Sequence, residues 1–341
     1  MRVCRNASGE GDGHGRRTFR ADAAAGRRQR PARARLDAEG RTAPTPRRPA
    51  ARAGARARRA VRLCRPPPPA ERRIGVVCHV FYPDVLPEIL ALTDAIPLRH
   101  RLFLSTDTTE KQAEIEHILA AHPGRTPVDL RLVPNRGRDI APKYVAFADI
   151  YPHLDRVLFL HTKKSLHSRG GDEWRRALMS ALVGSPATAA SALAIFEAAP
   201  DVGIVYPART GLGARAPRWD GNFAIARDAF ARIGLALDPK TPLDFPSGSM
   251  FWARPAALQP ILDLHLRLED FQPEAGQIDG TLAHALERSV LVAAACAGFR
   301  GIKTIPAETA SASNHQKIAS VEALRRAVAF PDPVPDVGSP R

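Results

Sequence analysis

The sequence predicts an α/β fold, a mixed and mostly parallel sheet flanked by helices, and three observations carry that prediction. From residue 74 onward, short apolar runs alternate with amphipathic segments of helical period, the order expected of repeated strand and helix units. Some of the runs are continuously apolar, as in VLFL at 157–160; a strand covered on both faces has no solvent side and therefore no reason to alternate. The residues before 74 take no part in the pattern: they hold 21 of the chain's 50 basic residues, all of them Arg, with 6 of its 35 acidic ones.

That tail, residues 1–73, is expected to be disordered, because Arg, Ala, Pro and Gly bury too little apolar surface to offset the entropy of ordering. The same mixture is what translated GC-rich DNA gives, so a start assigned upstream of the true one is an alternative reading. It lacks the apolar core of a signal peptide. The tail accounts for the whole net charge of +15, since residues 74–341 carry 29 basic and 29 acidic side chains. With a neutral folded part, no nucleic-acid partner is expected. No uninterrupted run of 18 apolar residues occurs, so no membrane-spanning helix is expected. Cys4, Cys64, Cys78 and Cys296 show no metal-ligand spacing, and a reduced, cytoplasmic protein is the simplest reading.

Taken in order, residues 74–82 (IGVVCHVFY) form a buried strand stopped by Pro83, and Asp84 is placed to cap a helix over 85–96. A strand at 101–106 and a helix at 109–122 follow. VDLRLV (128–133) alternates as a strand and delivers the chain into NRGRDIAP (135–142). A helix over 140–151 leads to the strand 157–160 and to HTKKS (161–165). The second half predicts helices at 172–182 and 186–198, a strand at 202–207 and a Gly/Arg/Pro loop at 208–218 fit to be a mobile flap. After these come a helix at 222–233, a strand at 247–254, helices at 255–266 and 279–297, and a last strand at 300–305. The segment 307–341 is expected to be irregular.

Two loops carry most of the candidate chemistry. In NRGRDIAP, Gly137 permits a bend that brings Arg136 and Arg138 round one concavity, beside Asn135. Asp139 stands where a helix N-cap belongs, with Pro142 in the first turn. Converging N–H groups, a helix dipole and two guanidinium forks suit a diphosphate, although a capping Asp139 with solvated arginines fits the same residues. HTKKS follows a central strand and presents His161, Lys163, Lys164 and Ser165 at the ligand edge of the sheet. Ser247, Gly248 and Ser249 precede Phe251 and Trp252, which suits a sugar or acceptor wall or, equally, a core strand entered by a turn. Asp279 opens a helix, as a cap or as a general base facing a ligand; His284 and Arg288, one turn apart, read as a surface pair.

Taken together, HVFYPDVLPEI (79–89), NRGRDIAP, LHTKKSLHS (160–168), DEWRRAL (172–178), VGS (183–185), FPSGSMFWARPAAL (245–258) and DGTLAHALER (279–288) resemble the rhamnan synthesis protein F family. The resemblance covers roughly residues 74–300 and motivates a domain at 74–306. It implies a glycosyltransferase that moves a sugar, L-rhamnose from dTDP-L-rhamnose, onto a cell-surface polysaccharide or lipopolysaccharide glycan. The layout is also similar to GT-A-fold glycosyltransferases, in which a strand ends in a metal-binding D-x-D. Here that strand ends in His161-Thr162-Lys163, so the resemblance leaves Mg²⁺ or Mn²⁺ as a disfavoured alternative and no other cofactor. Positive charge from Arg136, Arg138, Lys163 and Lys164 would then serve the leaving diphosphate in place of a metal.

By the same analogy Asp279 is the implied base of an inverting transfer. His79, Tyr82, Ser247, Ser249 and Trp252 are the implied donor or acceptor pocket. The implied partners are a nucleotide-sugar donor, a glycan or lipid-linked glycan acceptor and other polysaccharide-assembly enzymes, with peripheral contact at the inner face of the cytoplasmic membrane. The competing reading is a non-catalytic nucleotide-sugar or glycan-binding subunit of an assembly complex.

Overall fold

The computed structural model describes residues 60–63, 72–124, 126–162, 164, 170–209, 217–240, 242–306, 315–318 and 322–323. Most of the tail, Lys163, Ser165, most of the loop at 208–218 and most of the segment after 306 lie outside the described residues.

The expected mixed sheet is present. Strand β1 (Ala60–Leu63) stands apart from it, whereas β2 (Ile74–His79), β3 (His100–Thr106), β4 (Val128–Leu132), β5 (Arg156–His161), β6 (Val202–Pro207), β7 (Phe251–Ala253) and β8 (Arg300–Thr304) form one sheet in the order β4-β3-β2-β5-β7-β6-β8. Neighbours pair in parallel except β7, which runs antiparallel to both β5 and β6. β2 and β5 are buried along their whole length, as their uninterrupted apolar sequence requires.

Successive side chains of a strand point to opposite faces, and each face of this sheet packs its own core. Val76, Cys78, Leu158 and Leu160 pack with α1 (Leu86–Thr93), α3 (Gly171–Val183) and α4 (Pro186–Ala198). Val77, Phe159 and Phe251 meet Tyr144, Tyr151 and Phe230, the last from α5 (Phe223–Ala231), with Leu286 and Val290 of α7 (Leu282–Cys296). Helix α2 (Thr109–Ala121) buries Ile115 and is capped by the Thr108 hydroxyl. The short α6 is Gln259–Leu262.

Several expected boundaries are corrected. The helix at 140–151 is instead a π-helical turn, Pro142–Ala146, followed by a 3-10 turn, Ala148–His153. Proline lacks an N–H and crowds the preceding turn, and here Pro142 and Pro152 sit at its start and inside its second half. Asp139 therefore caps no helix, and neither does Asp84: the residue preceding α1 is Val85, with no side-chain cap. The strand at 247–254 shrinks to β7 because Gly248 (φ +79°) and Ser249 (φ +59°) are left-handed, a conformation that cannot continue a ladder. The helix at 279–297 begins at Leu282, capped by the Thr281 hydroxyl, so Asp279 lies before the cap. The helix at 255–266 is a 3-10 turn, Pro255–Leu258, running into α6.

Outside the main sheet, β1 pairs in parallel with β9 (His315–Ile318). Both strands fall in segments expected to lack structure, which corrects the expectation there. Among the described residues no single helix is long and apolar enough to cross a membrane; α3 and α4 pass only as a pair, bent by 60°.

Candidate functional site

From β2 the chain builds outward in one direction, to β3 and β4, and then returns to place β5 on the other side of β2. Such a reversal opens a crevice at the carboxyl ends of the two central strands. His79 and His161 are register partners at those ends. His79 is buried, and its Nδ1 lies 3.0 Å from the Ser105 hydroxyl on β3. Burial lowers its pKa from 6.5 to about 4, against the opposing pull of Asp139, so the ring is neutral at physiological pH. The Nε2 of His161 donates to the Gly248 carbonyl at 2.7 Å, which places a proton on that nitrogen. Thr162, also buried, accepts from the Tyr82 amide at 2.9 Å. Thus both described members of the triplet standing where a D-x-D would stand bind to their own backbone framework.

Tyr82 is half-buried, edge-on to Phe81 at 4.9 Å between ring centroids. Lys164 lies 5.1 Å from the Tyr82 ring centroid and is ion-paired with Asp84. The pairing explains what Asp84 does in place of capping. Lys163 and Ser165 lie outside the described residues.

The 135–139 loop turns sharply because Gly137 (φ +65°) and Arg138 (φ +56°) are successive left-handed residues. A Cβ on Gly137 would stand 2.4 Å from the Phe271 ring, so glycine is required twice over, for conformation and for space. Asn135 is exposed. The Nη1 of Arg136 donates to the Phe271 carbonyl at 3.2 Å, while Arg138 donates to the Gln277 carbonyl and pairs with Glu274 at 3.6 Å. Both guanidinium groups therefore hold the segment 271–277, which leads directly to Asp279. Asp139 accepts from Lys143, one turn further on, at 3.2 Å.

Lys143 was not singled out by sequence reasoning. Its side chain is 2% exposed, and besides Asp139 it donates to the carbonyl and the hydroxyl oxygens of Ser249, at 2.9 and 2.6 Å. Ser247 is half-buried and Ser249 buried. Trp252, implied as a pocket wall, is instead a core side chain: it is fully buried, and its indole N–H donates to the Leu182 carbonyl at 3.1 Å.

Asp279 accepts at Oδ1 from Asn222 (2.7 Å) and pairs through the same oxygen with Arg288 (3.1 Å). Partial burial raises its pKa, but Asn222, Arg288 and the Gly280 amide together outweigh it and hold the carboxyl below its ordinary range. Arg288 is no surface residue. Its side chain is 13% exposed, donates to the His284 and Arg218 carbonyls, and lies 5.5 Å from the Phe245 ring centroid. Arg209 lies 4.5 Å from the same centroid and pairs with Asp244, which also binds Tyr206 and Lys303. Arg209 and Arg288 thus add two sheltered cations to the region of Asp279. Their only sequence signal was position, at the start of the polar loop and on the helix following Asp279.

Among the described residues no group of three or more His, Cys, Asp or Glu is arranged to hold a metal ion. A cavity of about 780 Å³ opens at the opposite, amino edge of the sheet. Its Arg73 and Arg131 are paired with Asp155 and with Asp129 and Asp149, whereas His79 and His161 stand at the carboxyl edge. There the structure joins His161, the 247–249 turn, Lys143 and Asp139 in one connected chain of contacts. Arg136 and Arg138 hold the 271–277 segment, and Arg288 pairs with Asp279 two residues beyond it.

The family described as rhamnan synthesis protein F matches residues 63–298. Two curated relatives, both named uncharacterized protein WxcX, come from Xanthomonas campestris pv. campestris strains B100 and ATCC 33913. They are 39% and 38% identical over 227 residues, covering 66% of this chain and 32% of each relative. The chain therefore spans about a third of the length of the curated relatives it matches.

Proposed function

On the premise that the chain belongs to the rhamnan synthesis protein F family, and so to polysaccharide biosynthesis, we propose that it is a glycosyltransferase. It moves a sugar, L-rhamnose from dTDP-L-rhamnose in the reading favoured here, onto a growing surface polysaccharide or lipopolysaccharide glycan, with inversion and without a metal. The observation that carries this reading is the reversal of strand order at β2 and β5, with the 135–139 loop and the 247–249 turn tied together through Lys143. A departing nucleoside diphosphate needs positive charge. Lys164, Arg209 and Arg288 are described cations at or near this edge, and Lys163 adjoins Lys164 in sequence. Asp279 is ionised at neutral pH, as a base must be, and neither Asn222 nor Arg288 occupies its Oδ2. That oxygen is assigned to accept the proton of the attacking acceptor hydroxyl. The acceptor, a glycan or lipid-linked glycan, would be met at the cytoplasmic face of the membrane.

The test is to offer the purified chain a panel of nucleotide sugars, with and without EDTA, and to follow donor binding, hydrolysis and transfer. Binding and turnover of a deoxythymidine diphosphate sugar that persist in EDTA are expected. Strict dependence on Mn²⁺ or Mg²⁺ would overturn the metal-free part. Donor binding with neither hydrolysis nor transfer would leave a non-catalytic binding subunit in its place.

A further inference from the structure

Lys143 carries an unusual set of contacts for a side chain that is 2% exposed. An ammonium has three N–H donors, and three acceptors surround this one: Asp139 Oδ2 at 3.2 Å, the Ser249 carbonyl at 2.9 Å and the Ser249 hydroxyl at 2.6 Å. Its Nζ also lies 5.0 and 5.2 Å from the ring centroids of Phe159 and Phe251, where a desolvated cation is attracted by the aromatic faces. The alternative chemistry for a Lys beside a Ser is a neutral amine serving as base to a nucleophile. In that role Nζ would accept from the Ser249 hydroxyl and keep two N–H donors for Asp139 and the Ser249 carbonyl, so the three contacts join the same two segments in either protonation state. Lys143 is therefore a tie between the two segments.

The two segments it ties are both strained. Gly137 and Arg138 are left-handed on one side, Gly248 and Ser249 on the other. A non-glycine residue stays in that conformation only where its surroundings over-determine it. The second turn has two such restraints, His161 donating to Gly248 and Lys143 donating to Ser249. The 135–139 loop has Lys143 at one end, through Asp139, and the 271–277 segment against its arginines.

We propose that Lys143 is a positioning residue that couples the 135–139 loop to the 247–249 turn, fixing the donor half and the acceptor half of the site in one geometry. The inference rests on the transferase reading above. The groups that face Lys143 are Asp139 on its own segment, Glu287 from α7, Cys78 from β2 and the neighbouring Tyr144. Burial pulls the Lys143 pKa down from 10.5, with Asp139, Glu287 and Cys78 opposing. The part of the coupling that requires the ammonium is the ion pair with Asp139.

Lys143→Met is the direct test, read by hydrogen exchange, donor affinity and transfer rate. Amides of 137–141 and of 249–251 both exchange faster in the variant, transfer falls about 100-fold, and donor affinity changes by less than about threefold. Should Lys143→Met not fold, Ser249→Ala removes one of the three acceptors and is expected to cost about 10-fold in transfer with donor affinity kept. Faster exchange in one segment alone, unchanged transfer, or equal losses of donor binding and transfer would each overturn the proposal. Exchange does not depend on turnover, so a wild-type chain that transfers nothing would sink the transferase reading while leaving the coupling open to refutation on its own.

Discussion

Asn222 and Arg288 donate to the same oxygen of Asp279, which fixes the carboxylate in orientation as well as charge. Asp279→Asn keeps the shape and removes the basicity, so transfer is expected to fall about 10²- to 10⁴-fold while donor affinity is kept; full activity in the variant would remove the assignment. His79 is held in the opposite state, neutral. Its pKa is about 4 when folded and 6.5 as the reference, so between these values the unfolded chain binds a proton that the native protein refuses. The stability this group supports is present above about pH 6.5 and declines as the pH falls toward 4, by about 2 kcal/mol between pH 7 and 5. Urea unfolding across that range should show the decline in the wild type, and His79→Gln should lack that share of it. Some of this was legible in residue types: His79, His161, Asp139 and Asp279 stood out as polar groups at element ends. Lys143 did not, because a lysine in a helical stretch is expected outside. Trp252 misled for the converse reason, since an aromatic beside a Ser/Gly turn reads alike whether it faces a ligand or the core.

At the scale of elements, the 135–139 loop tests how much the site depends on backbone. In Gly137→Ala the new Cβ meets the Phe271 ring 2.4 Å away and the residue must keep φ +65°. The left-handed conformation alone costs about 1–2 kcal/mol, and the contact adds to it. The variant is expected to unfold at lower urea and to bind donor more weakly; wild-type stability would contradict the geometry. The central strands were legible because burial on both faces removes alternation, and α4 and β6 fall at the residues read from sequence. The segments that shifted are those where proline or left-handed residues break a pattern that apolar spacing alone would continue, at 140–151 and 247–254. Strands β1 and β9 escaped because a short segment in polar surroundings becomes a strand only through its partner.

For the whole molecule, the net charge of +15 belongs to residues 1–73, and the remainder is neutral. Any affinity of the full chain for an anionic polymer should therefore fall steeply with salt and vanish on deletion of residues 1–70, which hold 19 of the 21 tail arginines. Retention after deletion would place an unrecognised basic surface on the folded part. Sequence by itself determined the alternation of strand and helix, the parallel character of the central strands, the family and the confinement of charge to one end. These are local or compositional properties, readable in apolar period and residue type. Only the tertiary structure decided that Arg136 and Arg138 hold the segment leading to Asp279, that Arg288 is sheltered beside it, and that Lys143 meets Ser249, 106 residues further along the chain. Each of these depends on which groups meet after the sheet has formed, where a buried charge must find its partners across the chain.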